Sequence, residues 1–303
     1  MFAEVPELSP GASAPLAMAA SIELETVNGI LSTVTIPPCP SVVLSLMEEA
    51  RQDDVDFQRI NRLISGDVSL AASMMKTANS PFFALRSKVQ SVQQAVAVLG
   101  LKNILKVVTG LELQRSLGKG GGVSMERFWE RSNLHAAICG CLARRLPGTS
   151  VEDAYTFGLF HDCGIPILMQ RFPDYKETLM AANHSSLPVP EVEFERHATS
   201  HVMVGAMLAH NWQLPEKIVR AIRGHHDLTL LEDEREPAEV RTLIALSLLA
   251  EHLAARYLGV AEESEWQLWG EQAFAYLGFD DGELEELYPE LLEELGDVIA
   301  ARG

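Results

Sequence analysis

No apolar run in the 303-residue chain approaches the roughly 20 residues needed to cross a bilayer, so no membrane span is expected. The amino end, Met1-Phe2-Ala3-Glu4, lacks the basic start and apolar core of a secretory signal. Cysteine is scarce. Cys39, Cys139, Cys141 and Cys163 are too few and too scattered to build a disulfide framework in a chain of this length. These absences set a cytoplasmic location as the expectation. Positive charge is short as well: 24 Lys and Arg stand against 42 Asp and Glu, for a net charge of −18. Such a chain repels phosphate backbones at long range, so no nucleic-acid partner is expected. Strand-like alternation is also rare and β-branched runs are short, which argues against a sheet.

The chain does carry the composition of a globular protein, 47% apolar and 22% charged. Its acidity is concentrated late: residues 231–303 hold 19 acidic and 4 basic side chains. Ala, Pro and Ser dominate residues 1–20 without a period, as in a mobile tail. Val42, Val43, Leu46 and Met47 then form one helical stripe, entered by Ile36-Pro37-Pro38-Cys39-Pro40 and with Ser41 expected to cap it. Asp67 is placed to cap a further helix, which Asn79-Ser80-Pro81 stops, Asn tolerating the left-handed conformation. Ser91 and Gln94 have capping-box spacing, and Gly100 ends the helix that follows. Gly118-Lys119-Gly120-Gly121-Gly122 reads as a linker. Later helices are expected near 126–145, 152–170, 174–182, 190–210, 215–225, 239–258, 265–277 and 282–301. The pattern predicts an all-α, two-lobed protein. A tail covers 1–30, an N-terminal helical lobe 31–122, a second helical lobe 123–230 and an acidic helical extension 231–303.

Histidine supplies the candidate chemistry. His161-Asp162 lies in Gly158-Leu159-Phe160-His161-Asp162-Cys163-Gly164, and adjacent His and Asp can both ligate a metal if other helices bring further ligands. His135 precedes this pair by 26 residues; His201 and His225-His226 follow it. These residues either converge on one pocket or stand separately as core histidines held by carbonyls. Phe82 and Phe83, just after a helix stop, either anchor a partner or fill the junction between lobes. Cys139 and Cys141 lack the two-residue gap of a zinc or redox pair and read as buried small residues.

The order of these motifs resembles the HDOD family, bacterial signalling-output relatives of the HD phosphohydrolases. In the first lobe the resemblance rests on Ile36-Pro37-Pro38-Cys39-Pro40, Ile64-Ser65-Gly66-Asp67, Lys76 to Phe83 and Ser91 to Leu101. In the second it rests on Phe128-Trp129-Glu130-Arg131-Ser132, Gly158 to Gly164, His201 to Ala206, Trp212-Gln213-Leu214-Pro215 and Ala221 to His226. It implies an HD-like second lobe and a divalent-metal site (iron or manganese) built from His161, Asp162, His201, His225 and His226. Glu251 stands where the relatives have a late Asp. The relatives' first His falls at Arg131, which cannot ligate; His135, one turn on, is the substitute, and Arg131 is a candidate contact to phosphate or ligand. Ile165 occupies the position of the usual catalytic Lys. The resemblance therefore implies a non-catalytic regulatory module acting on a protein partner of a signalling pathway. A metal-dependent phosphohydrolase acting on a nucleotide or cyclic dinucleotide, and a metal- or nucleotide-binding module without turnover, are the alternatives.

Overall fold

The computed structural model describes residues 33–79, 88–118, 123–185, 187–260, 264–279 and 286–293. The tail expected over 1–30, Phe82 and Phe83, most of the glycine linker and both ends of the helix expected over 282–301 lie outside them. Among the described residues the chain is helical, with no strand.

The first four helices are α1 (Ser41–Ala50), α2 (Phe57–Ser65), α3 (Val68–Ala78) and α4 (Val92–Leu117). Polar caps fix their starts. Asp56 accepts from the backbone N–H groups of Gln58 and Arg59, both at 2.9 Å, and Asp67 accepts from Leu70 N at 2.8 Å. Ser41 is the first helical residue instead of the cap. Pro40 holds that position, and its carbonyl accepts from Val43 and Leu44. Asn79 ends α3 without entering the left-handed region (φ −83°); its amide side chain bridges Val89 N and Val89 O. Gly100 (φ 69°, ψ 164°) breaks α4, as its position at the end of the Ala95/Val96/Leu99 stripe suggested. Arg115 of α4 reaches back to Asp67 at 2.8 Å and locks the start of α3. Leu46, Ile60, Ile64, Met74, Ile104 and Val108 form the buried apolar cluster of this region.

The remaining elements are α5 (Val123–Ala143), α6 (Val151–Phe160), α7 (Gly164–Arg171), α8 (Tyr175–Ala182), α9 (Val189–His197), α10 (His201–Asn211), α11 (Glu216–Gly224), a short 3-10 turn (Leu228–Leu231), α12 (Ala238–Leu258) and α13 (Ser264–Leu277), and all of them but α9 contribute to a second buried cluster. Residues 286–293 are also helical. In α12 every residue from Leu243 to Ala250 is buried, the mark of a helix enclosed on all sides. Phe274, Leu277 and Leu291 of the acidic extension belong to this same cluster. Trp212, fully buried after α10, donates its indole N–H to Pro37 O and pins the proline-rich entry to the second cluster.

Two helices expected to run unbroken are interrupted. The stretch 152–170 breaks at 161–163 between α6 and α7, and 190–210 breaks at 198–200, where Ala198 takes the left-handed conformation (φ 52°). Both breaks meet at one point. A Cβ on Gly164 would lie 2.1 Å from His201 O, so only glycine lets the start of α7 approach the start of α10 this closely. Gly158 serves the α5–α6 contact in the same way: a Cβ there would lie 2.9 Å from Ala136 Cα.

Candidate metal centre

The convergence of these breaks places His161-Asp162 against His201. His225 and His226 follow the last residue of α11, and Glu251 projects from α12. The side chains form two groups, Asp162/His201/His225/His226 and His135/His161/Glu251; within each, one ligand atom per residue lies within 4.8 Å of the others. Asp162 faces both. Its Oδ1 lies 3.4 Å from His201 Nε2 and 3.7 Å from His225 Nε2, and its Oδ2 lies 3.2 Å from His161 Nε2. Glu251 Oε1 is 4.0 Å from His161 Nε2. Ligands bonded to one cation at about 2.1 Å are spaced about 3.0–3.4 Å from one another, so these separations are close to the edges of a coordination polyhedron.

The imidazoles are oriented from behind. His161 Nδ1 donates to Gly158 O at 2.7 Å, and His225 Nδ1 donates to Ile222 O at 2.8 Å. His201 Nδ1 lies 2.8 Å from Glu193 Oε2, which also accepts from His201 N, while Glu193 Oε1 accepts from the Tyr175 hydroxyl. His226 Nδ1 lies 2.8 Å and 2.9 Å from the two oxygens of Glu265. With Nδ1 committed in each case, Nε2 is left for the centre. The Nε2 atoms of His201 and His225 are buried and make no hydrogen bond. Orphaned buried nitrogens aimed at one carboxylate fit a divalent cation, since an unpaired polar group inside a protein is otherwise costly. His135 is different. Its Nδ1 lies 3.2 Å from Gly158 O and its Nε2 3.2 Å from Ser247 O, with its ring stacked on His161 at 4.0 Å. Burial keeps the ring neutral, with one N–H to give: Nδ1 can donate to Gly158 O while Nε2 accepts from the Ser247 hydroxyl at 3.3 Å, so neither nitrogen is left over and the His135/His161/Glu251 group is the weaker ligand set.

Charge follows geometry. Burial acts to raise the Asp162 carboxyl pKa, but His161, His225 and His201 outweigh it and hold it well below the usual range. Burial likewise opposes ionisation of Glu193, yet His201 and Tyr175 keep its pKa low. The histidines divide. Burial and neighbouring imidazoles push His225 and His226 down to about 3, so both are neutral ligand-type rings near pH 7. Burial lowers His201 too, but Glu193 and Asp162 reverse it and raise its pKa, so a cation entering the site competes with a proton there. Burial pushes the Glu265 carboxyl up to about 7. Asp162 keeps 30% of its side chain exposed, against 6% for His161 and 1% for His201, so solvent reaches the centre at that carboxylate.

Of the sequence candidates, His135, His161, Asp162, His201, His225, His226 and Glu251 come together. Arg131, one turn before His135, is exposed on α5. Sequence reasoning missed Glu193, Tyr175 and Glu265. No motif marks them; the one available signal was a Glu eight residues before a His, across a helix end.

The chain matches the HDOD domain family over residues 36–228. It belongs to that family. An uncharacterized protein of Treponema pallidum (strain Nichols) is 26% identical over 205 residues, 67% of this chain. The chain spans only 40% of that relative's length. Among solved structures, an HDOD domain protein of unknown function from Geobacter sulfurreducens superposes with a TM-score of 0.74 at 22% identity, covering 93% of this chain and 99% of the other. A Shewanella amazonensis SB2B protein assigned provisionally as a phosphohydrolase gives a TM-score of 0.67 at 22% identity, covering 93% and 98%. At these identities the structural likeness speaks for the shared helical fold. Among the described residues, no helix is long and apolar enough to cross a membrane.

Proposed function

We propose that this HDOD chain holds a divalent cation of the iron or manganese class and acts in regulation by contact with a signalling protein, without turnover. The observation that carries the metal reading is the pair of buried, unbonded Nε2 atoms of His201 and His225 facing Asp162. A bound cation supplies Lewis acidity and a hydroxide near neutral pH. His161, His201 and His225 would hold it by Nε2, Asp162 by its carboxylate, and Glu193 would keep the His201 proton on Nδ1.

Two observations favour binding without hydrolysis. By the family resemblance the first-ligand position falls at Arg131, and both nitrogens of its substitute His135 already have partners in Gly158 O and the Ser247 hydroxyl. Ile165 replaces the lysine that the family resemblance leads one to expect, so the start of α7 brings no cation to a phosphate. The test is metal analysis of purified protein, paired with hydrolysis of bis-p-nitrophenyl phosphate and cyclic dinucleotides in added Mn²⁺. Bound metal with background hydrolysis is the expected result. A protein without metal removes the reading.

The second reading, a metal-dependent phosphohydrolase, draws on the solvent-open edge of Asp162 and on that carboxylate's position between the two ligand groups. Mn²⁺-dependent turnover lost in Asp162→Ala would replace the first reading with this one.

A further inference from the structure

The acidic extension does more than coat the surface. The first turn of α13 touches the metal centre at His226 and packs beside it on His252. Glu265 meets His226 with both carboxylate oxygens, at 2.8 and 2.9 Å, and keeps only 14% of its side chain exposed. Next to it, Trp266 stacks on His252 with ring centroids 3.9 Å apart and planes 11° from parallel. His252 follows Glu251, the carboxylate of the other ligand group. Further along, Ala273, Phe274 and Leu277 hold α13 in the second core cluster. His226 thus has its Nδ1 fixed by a residue 39 positions away, beyond the family match that ends at residue 228.

We propose that Glu265 is a positioning residue of the metal centre, and that docking of the α13 N-terminus and cation binding reinforce each other. Glu265 holds the Nδ1 proton of His226, so Nε2 is presented to Asp162, His201 and His225. Carboxylate partners of ligating histidines fix the tautomer and ring orientation, and their loss typically costs about 10–100-fold in metal affinity. Coupling of this kind is reciprocal: if α13 favours the cation, the cation favours docked α13 by the same factor. A partner that grips the acidic extension would therefore read whether the centre is filled. Trp266 adds a second contact of the same turn, stacked on His252 next to Glu251 in α12.

This inference rests on the metal-holding reading, and the experiment keeps the two apart. Mn²⁺ is titrated into metal-stripped full-length wild type, Glu265→Gln and Glu265→Ala. Hydrogen exchange of residues 264–277 is followed with and without Mn²⁺, and helicity and Tm are recorded as folding controls. Expected are wild-type binding, about 10–100-fold weaker binding in Glu265→Ala, a smaller loss in Glu265→Gln, and Mn²⁺-dependent slowing of exchange in wild type. Absence of wild-type binding sinks the metal reading and this inference together. Wild-type binding with unchanged affinity in both variants, or exchange of 264–277 that ignores Mn²⁺, overturns this inference alone. The exchange measurement on wild type stands even if a variant fails to fold.

Discussion

Single residues at the centre divide into those that face the cation and those that face the ligands. Asp162 lies between the two groups, so Asp162→Ala should abolish cation binding in a Mn²⁺ titration. Glu193 never faces the site; it is fully buried and meets His201 twice. Glu193→Gln keeps an acceptor but removes the charge, and should weaken binding by about 10–100-fold with little change in helicity. The pH dependence follows from His225 and His226. Both sit at about 3 in the folded chain against 6.5 for an ordinary histidine. Between those values the unfolded chain binds more protons, so their contribution to stability is in place above pH 6.5 and is lost as pH falls toward 3. Metal release should follow the same direction, because a protonated imidazole cannot ligate. Tm and bound metal measured from pH 8 to pH 4 should decline together. Much of the site was legible at this scale because His161, Asp162, His201, His225 and His226 sit in local motifs. Glu193 and Glu265 were not, since a supporting carboxylate is defined by where the chain returns and not by its neighbours in sequence.

At the scale of elements, the helix breaks make the site. The apolar period of 152–170 and 190–210 continues through both breaks, so the pattern predicted single helices. Ala198 caps α9 in the left-handed conformation, a place usually held by Gly or Asn, so an alanine there gives no local sign of the break. Gly164 was the visible clue, read as a motif glycine when its role is the contact with His201 O. Gly164→Ala should force α7 and α10 apart, cost about 3 kcal/mol or more, and lower metal affinity, as read by denaturant unfolding and Mn²⁺ titration. The first region depends on its caps. Asp67 is held at about 2 by its bond to Arg115 and the backbone N–H of Leu70. That depressed value gives stability present above the ordinary carboxylate range and lost as pH falls through about 2. Asp67→Asn should flatten the acid limb of an unfolding profile between about pH 4 and pH 2.

For the whole molecule, the net charge of −18 acquires a location and a structure. The extension carries most of that charge, yet Phe274, Leu277, Leu287 and Leu291 are core residues packed with those of α5 to α8 and α10 to α12. Amphipathic spacing gave α13 and, over the described residues 286–293, the helix after it; it could not say that their apolar faces complete the neighbouring core. Each such side chain contributes about 1.5–3 kcal/mol on burial. Removing residues after 260 should therefore cost a large part of a total stability that is itself only about 5–15 kcal/mol, visible as a collapse of Tm.

The central claim is that the histidine–carboxylate cluster holds a divalent cation. Metal content of the purified full-length protein, compared with that of His201→Ala and Asp162→Ala, tests it most directly. The account predicts about one iron or manganese per wild-type chain, and none in either variant at unchanged helicity. Wild-type protein devoid of metal after supplementation, or equal metal in all three proteins, would contradict it.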